Sequence, residues 1–225
     1  MRATPAHATL VVAIRHGETA WNAQTRLQGQ LDIELNDAGR RQARQVADAL
    51  ADAGISTLYT SDLLRAAQTA EAIARRCGLP LQRDTGLRER HFGVFEGHTL
   101  AELDQRWPEA ARRWRARDVD FSPEGGETLI AFDARSVACA ARLAARHPGE
   151  TIALVAHGGV LDCLYRAATR VSLQATRTWQ LGNASINRLL FNGEDFTLVG
   201  WGDTLHLEAA LDDNDEASAS APHAA

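Results

Sequence analysis

The chain contains no lysine, so all 24 of its basic residues are arginines. Any mechanism that needs a lysine is excluded, and attraction of anions falls to guanidinium groups. Cysteine is scarce as well. Cys77, Cys139 and Cys163 are an odd number without metal-ligand spacing, which predicts buried thiols in a reducing compartment rather than bridges. No apolar run approaches the roughly 20 residues that cross a bilayer. Met1 to Thr9 also lacks the hydrophobic segment of a secretory signal, so a cytoplasmic location is the default expectation. A formal net charge of -5 argues against general affinity for nucleic acid or an anionic membrane. What remains is an ordinary soluble composition over 225 residues, enough for a substantial core in one α/β domain.

The stretch Leu10 to Asn22, LVVAIRHGETAWN, organises the rest. Its apolar run, Leu10 to Ile14, reads as a buried strand ending at Arg15, His16 and Gly17. Open α/β sheets place ligands at such carboxyl ends. Arg15 attracts phosphate-like oxygens and disfavours protonation of His16, which leaves a ring nitrogen free to act as a nucleophile. A second stretch has the same form. Thr151 to Ala156, TIALVA, is an apolar run that reads as a central parallel strand, followed by His157, Gly158, Gly159 and a helix from Val160 to about Ala168. Neighbouring strand ends of this kind would bring His16 and His157 into one crevice.

Between them strands and helices alternate. Asn36 caps a helix from Asp37 with Ala43, Val46, Ala47 and Leu50 on one face and Gly54 at its end. A short strand, Thr57 to Thr60, leads to Asp62 as the expected cap of a helix from Leu63 to Cys77, and Arg65 falls in its first turn, where free amides favour anions. Leu81 to Arg83 reads as an edge strand, and the glycine-bearing run to Gly97 as a loop pinned by its own side chains. Thr99 and Glu102 form a capping box opening a short helix that ends near Trp107. Pro108 starts another, to about Arg117, whose Arg112, Arg113, Arg115 and Arg117 read as a solvated face with Trp107 and Trp114 packed inward. Ser122 to Thr128 turns into a long helix, Leu129 to His147. A hairpin, Ser185 to Phe191 and Phe196 to Trp201, turns at Asn192-Gly193. The expected organisation is a single catalytic domain over 1–211, followed by an acidic, disordered tail over 212–225. Its class is an α/β fold, a three-layer α/β/α sandwich with a mostly parallel sheet.

With Arg15-His16-Gly17-Glu18-Thr19, the run from Ser61 to Ala70 around Arg65, Glu89 before Arg90-His91-Phe92-Gly93, Gly126-Glu127 before the long helix, and His157-Gly158, the chain resembles the histidine phosphatase superfamily, the phosphoglycerate mutase-like enzymes. The resemblance spans roughly Leu10 to Leu207 and implies the phosphoglycerate mutase-like fold. It implies that His16 becomes phosphorylated, that Arg15, Arg65 and His157 hold the phosphate, and that Glu89, rather than the nearby Glu96, is the proton donor. It also implies supporting substrate contacts from Asn22, Gln28, Gly29 and Gly158, with Glu18 left structural.

The expected function is that of a phosphomonoesterase acting on small phosphorylated metabolites through a phosphohistidine, with no cofactor and no metal. Phosphate monoesters are among the slowest esters to hydrolyse, so several groups must act together. His16 must be neutral to attack and His157 is more useful charged, so their environments are expected to push their pKa values apart. One alternative is a cofactor-dependent phosphoglycerate mutase, but the lysines that such enzymes use for a carboxylate, and their long insertion after the glutamate, are missing here. Another is a catalytically silent regulator that binds a phosphorylated ligand, although the nucleophile, arginines and acid are all present. A zinc site built from His16, His157 and Glu89 is disfavoured by the two arginines beside them. Glu34, where the family usually has proline, and Phe92, where mutases often have tyrosine, weaken any naming of the natural substrate. Oligomeric state is not legible, and a homodimer is left open.

Overall fold

The computed structural model describes residues 7–208. The expected tail, 212–225, lies outside the described residues. In chain order the elements are β1 (Thr9–Arg15), α1 (Ala20–Ala23), α2 (Asp37–Ala49), β2 (Ile55–Thr60), α3 (Leu64–Cys77), β3 (Leu81–Arg83), α4 (Leu100–Arg106), α5 (Pro108–Arg115), α6 (Leu129–Ala144), β4 (Thr151–Ala156), α7 (Gly158–Thr169), β5 (Ile186–Phe191) and β6 (Phe196–Asp203). The six strands form one sheet in the order β3-β2-β4-β1-β5-β6. The first four of these are parallel, and the β5–β6 hairpin joins β1 antiparallel. The sheet is therefore mixed, with a parallel heart.

Because side chains alternate across a strand, β1 and β4 each feed two cores. Val11, Ala13, Leu154 and Ala156 pack under α6 and α7, while Val12, Ile14, Ala153 and Val155 pack under α2 and α3. Both faces of the central strands are covered, which is why their sequences are apolar throughout rather than alternating. A third cluster, Phe92, Phe95, Leu103, Ala111 and Phe121, underlies α4 and α5, with Trp107 and Trp114 packed against it. The α5 arginines face outward into ion pairs, Arg112 with Glu109, Arg113 with Asp118 and Arg115 with Asp104. No helix among the described residues is long and apolar enough to cross a membrane.

Several boundaries differ from those the sequence predicts. Helix α2 stops at Ala49 with Leu50 as its cap, and Gly54 (φ 65°) instead turns the chain into β2. Asp62 does not cap α3. The first amide of that helix, Leu64 N–H, donates to Asp32 Oδ1 at 2.6 Å, while Asp62 is drawn away by Arg88. Helix α6 ends three residues early, because the Thr9 hydroxyl bonds the carbonyls of Ala144 and His147 and the chain turns there. His147 follows in that turn, against Tyr59 and Glu150. Helix α7 begins at Gly158, with His157 itself at the cap position.

Candidate active site

Strand register builds the floor of the site. Arg15, the last residue of β1, pairs with Ala156, the last of β4, so the residues that follow, His16 and His157, emerge side by side. Their ring centroids are 5.2 Å apart. His16 Nδ1 lies 2.7 Å from its neighbour's carbonyl, Gly17 O. A carbonyl only accepts, so Nδ1 carries the proton and the lone pair of the ring is at Nε2. His157 is fully buried, and neither of its ring nitrogens has a hydrogen-bond partner.

Two guanidiniums flank the imidazoles. Arg65, 1% exposed, is oriented by the carbonyls of Leu31 and Gly29, at 2.9 and 2.7 Å. Gly29 adopts φ 54°, and a side chain there would collide with Glu96, so glycine is what brings this carbonyl to Arg65. Arg15 donates to Leu181 O. The Nε of each arginine is buried without a partner among the described residues, so each keeps a donor unused within the fold. Burial lowers both guanidiniums to about 10, so both are charged at neutral pH.

The imidazoles respond to this setting together. Burial first, then the charge of Arg65, pushes both His16 and His157 well below 6.5. The expectation that their values diverge is therefore corrected. Neither ring nitrogen of His157 has a hydrogen-bond partner among the described residues, and arginine charges surround it, so both rings are neutral.

Glu89 lines the same cavity as His16, Arg15 and Arg65. Its carboxylate accepts from Arg90 N at 2.8 Å and from Gly159 N, in the first turn of α7, at 2.9 Å. Its backbone is held from behind: Gln30 Nε2 donates to Glu89 O at 3.1 Å, and Arg135 donates to the carbonyls of Gly86 and Arg88, each at 3.0 Å. Glu127 fixes Arg135 in turn and accepts the amide of His91. Glu96 does something different. Its Oε1 accepts from the amides of Gln30 and Phe92 and ties two loops together.

The cavity, about 370 Å³, is also lined by Asn22, Gln28, Gly29 and Gly158. Asn22 Oδ1 accepts from Thr19 N and from Asn183 Nδ2, which leaves its amide hydrogens for a ligand. Glu18 accepts from Asn36, away from this wall. The structure thus gathers Arg15, His16, Asn22, Gln28, Gly29, Arg65, Glu89 and Gly158 around one hollow, while His157, with its ring centroid 5.2 Å from that of His16, is fully buried and does not line it. The sequence reading missed one wall: Arg177, Trp179, Gln180, Leu181 and Gly182, from the irregular segment between α7 and β5. Among the described residues no group of three or more His, Cys, Asp and Glu side chains gathers to hold a metal ion.

A sequence profile described as "Histidine phosphatase superfamily (branch 1)" matches residues 11–204. The chain is 43% identical to phosphoglycerate mutase-like protein 4 of Arabidopsis thaliana, over 88% of this chain and 86% of that one. It is 36% identical to the metal-independent phosphoserine phosphatase of the same plant, over 89% and 84%. Among solved structures, a mycobacterial glucosyl-3-phosphoglycerate phosphatase in complex with VO3 superposes with a TM-score of 0.77 at 36% identity, covering 87% of this chain and 99% of that one.

Proposed function

Because the chain belongs to the histidine phosphatase superfamily, we propose that its cavity hydrolyses phosphate monoesters of small metabolites through a phosphohistidine at residue 16. The observation that carries this reading is the fixed tautomer of His16: a lone pair at Nε2, in a cavity that two buried guanidiniums, Arg15 and Arg65, also line. Phosphatase-named relatives support the reaction class.

Arg15 and Arg65 clamp the phosphoryl oxygens, and each well-placed donor of this kind is typically worth about 2.7 to 4 kcal/mol in the transition state. His16 Nε2 attacks phosphorus in line, an N–P bond forms, and the P–O bond to the alcohol breaks. Glu89 gives its proton to the departing oxygen. A bound phosphate dianion supplies a counter-charge for His157, whose proton then adds a hydrogen bond to the phosphate. In the second half, water attacks phosphorus, Glu89 takes its proton, and the N–P bond breaks to regenerate His16. Asn22 and Gln28 hold the phosphate or the departing oxygen. The unpaired thiols of Cys77, Cys139 and Cys163 fit a reducing, cytoplasmic setting for this chemistry.

The test is phosphate release across a panel of phosphorylated metabolites, with His16→Ala as control, and trapping of labelled phosphate on the protein in an acid-labile, base-stable bond. Release by the unaltered protein, label at residue 16 and neither in the variant are expected. Label retained by His16→Ala would sink the proposal. Isomerisation of 3-phosphoglycerate that depends on a bisphosphate primer and outpaces release would make the protein a mutase instead.

A further inference from the structure

Past Glu89 the phosphate cavity opens into a second one of about 690 Å³, and the two share Leu27, Glu89, Phe92, Gly159 and Arg177 as walls. If Glu89 protonates the bridging oxygen, the alcohol portion of the substrate lies on Glu89's side of the phosphate and extends past Arg177 into this second space. We propose that Arg177 recognises a second anionic group, a carboxylate or phosphate, carried by that alcohol portion. The inference rests on the phosphatase reading for its geometry and deepens it by naming a substrate class and the residue that selects it.

Three observations carry it. The first is that the other arginines in these walls are occupied. Arg26 is paired with Glu102, Arg115 with Asp104 and Arg117 with Asp162, and Arg90 donates to the carbonyls of Phe121 and Glu127. Arg15 and Arg65 belong to the phosphate. Arg177 lines both cavities, and among the described residues it makes neither a hydrogen bond nor an ion pair within 4.0 Å.

The second is that its position is built. The segment around it has no regular structure, yet buried Arg166, itself held by Asp162 at 3.0 Å, donates to the carbonyls of Ser172 and Ala175. Trp179 stacks on Tyr165 with ring centroids 3.9 Å apart and lies under the Arg166 guanidinium, while Leu181 O is caught by Arg15. Clamped on both sides, the intervening residues present Arg177 at the seam between the cavities.

The third is that its charge reaches the phosphate site, where it acts on Arg15. Because Arg177 is exposed, water and salt weaken what it contributes. It is thus suited to discriminating between esters rather than to stabilising the fold. A guanidinium fork suits carboxylate and phosphate alike.

The test uses a pair of esters that differ at one group, 3-phosphoglycerate and glycerol 3-phosphate, the second bearing a hydroxymethyl where the first has a carboxylate. In Arg177→Gln, the ratio of kcat/KM for the first over the second is expected to fall about tenfold, with the loss in KM, and Arg177→Lys should restore part of it. Raising ionic strength should lower the ratio in the unaltered protein and leave it flat in Arg177→Gln. An arm with glycerol carrying two phosphates shows whether a second phosphate is read as well as a carboxylate. Equal losses on both members of the pair, or an unchanged ratio, would overturn the inference. Calorimetric binding of the same pair to His16→Ala, with and without Arg177→Gln, reads discrimination without turnover. If no ester is hydrolysed but this binding preference depends on Arg177, the phosphatase reading fails and the inference stands.

Discussion

Folding alters the chemistry of His16 and His157 strongly, since both are pushed well below 6.5 by burial and by Arg65. In the unfolded chain each takes up a proton near its ordinary value, whereas in the folded protein each does so only at a much lower pH. The unfolded state therefore binds more protons at mildly acidic pH. Stability is complete above about 6.5 and is lost as pH falls, at up to about 1.4 kcal/mol per pH unit for each imidazole. His206, lowered mainly by burial, adds in the same direction. Urea unfolding between pH 7.5 and 5 should show this slope, and saturating phosphate should flatten it by favouring a proton on His157. A stability that stays level over that range would contradict the burial of two neutral rings. Glu89 is tested by the leaving group. Glu89→Gln should lower kcat about 10² to 10⁴-fold for alkyl phosphates, whose alkoxides need a proton, and far less for p-nitrophenyl phosphate, whose phenolate does not. Uniform loss across both would assign Glu89 to binding alone.

At the scale of elements, close approaches through glycine set the groups of the proposed site. The turn after β1 crosses the first turn of α2 at Gly17 and Gly39, and a methyl group on Gly39 would collide with the backbone of Glu18. Gly→Ala within a helix ordinarily gains about 1 kcal/mol. Here the clash is with backbone that cannot swing aside, so Gly39→Ala should instead destabilise by about 1 to 3 kcal/mol, measured as a lower urea midpoint at unchanged slope. Gly159 behaves differently, because a methyl there meets the Glu89 carboxylate and the edge of Phe132. Gly159→Ala should displace the carboxylate and lower kcat at least about tenfold, with stability changed by less than about 1 kcal/mol. Such crossings are invisible in sequence, where Gly39 is merely a residue in an amphipathic helix. What the sequence makes legible is local: β1 and β4 as apolar runs, and Arg15, His16 and His157 at their ends. Features that depend on distant partners escape it. Asp32 caps α3 from across a loop, Arg166 fixes the segment that bears Arg177, and the burial of His157 without a hydrogen-bond partner is a property of what surrounds it in space.

For the whole molecule, a net charge of -5 coexists with a site that concentrates Arg15, Arg65 and Arg177 at the carboxyl end of the sheet. The fold holds this arrangement because the α/β/α sandwich is closed by apolar packing on both faces, so that the strand ends need not stabilise it. Two buried guanidiniums line this cavity, and Glu89 is the foremost opposing charge acting on each. An anion that binds the folded state alone must therefore stabilise the molecule as a whole. At about 100 times its dissociation constant the gain is about 2.7 kcal/mol, which for a domain of this size raises Tm by roughly 5 to 10 °C. Phosphate or vanadate should produce that shift in scanning calorimetry, and chloride at equal ionic strength should not, because the site selects by its fork of donors rather than by charge alone. Arg65→Ala should abolish the shift, since it removes a donor already aligned by Gly29 and Leu31. An equal response to chloride, or a shift that survives the loss of Arg65, would place the stabilising anion somewhere other than this cavity.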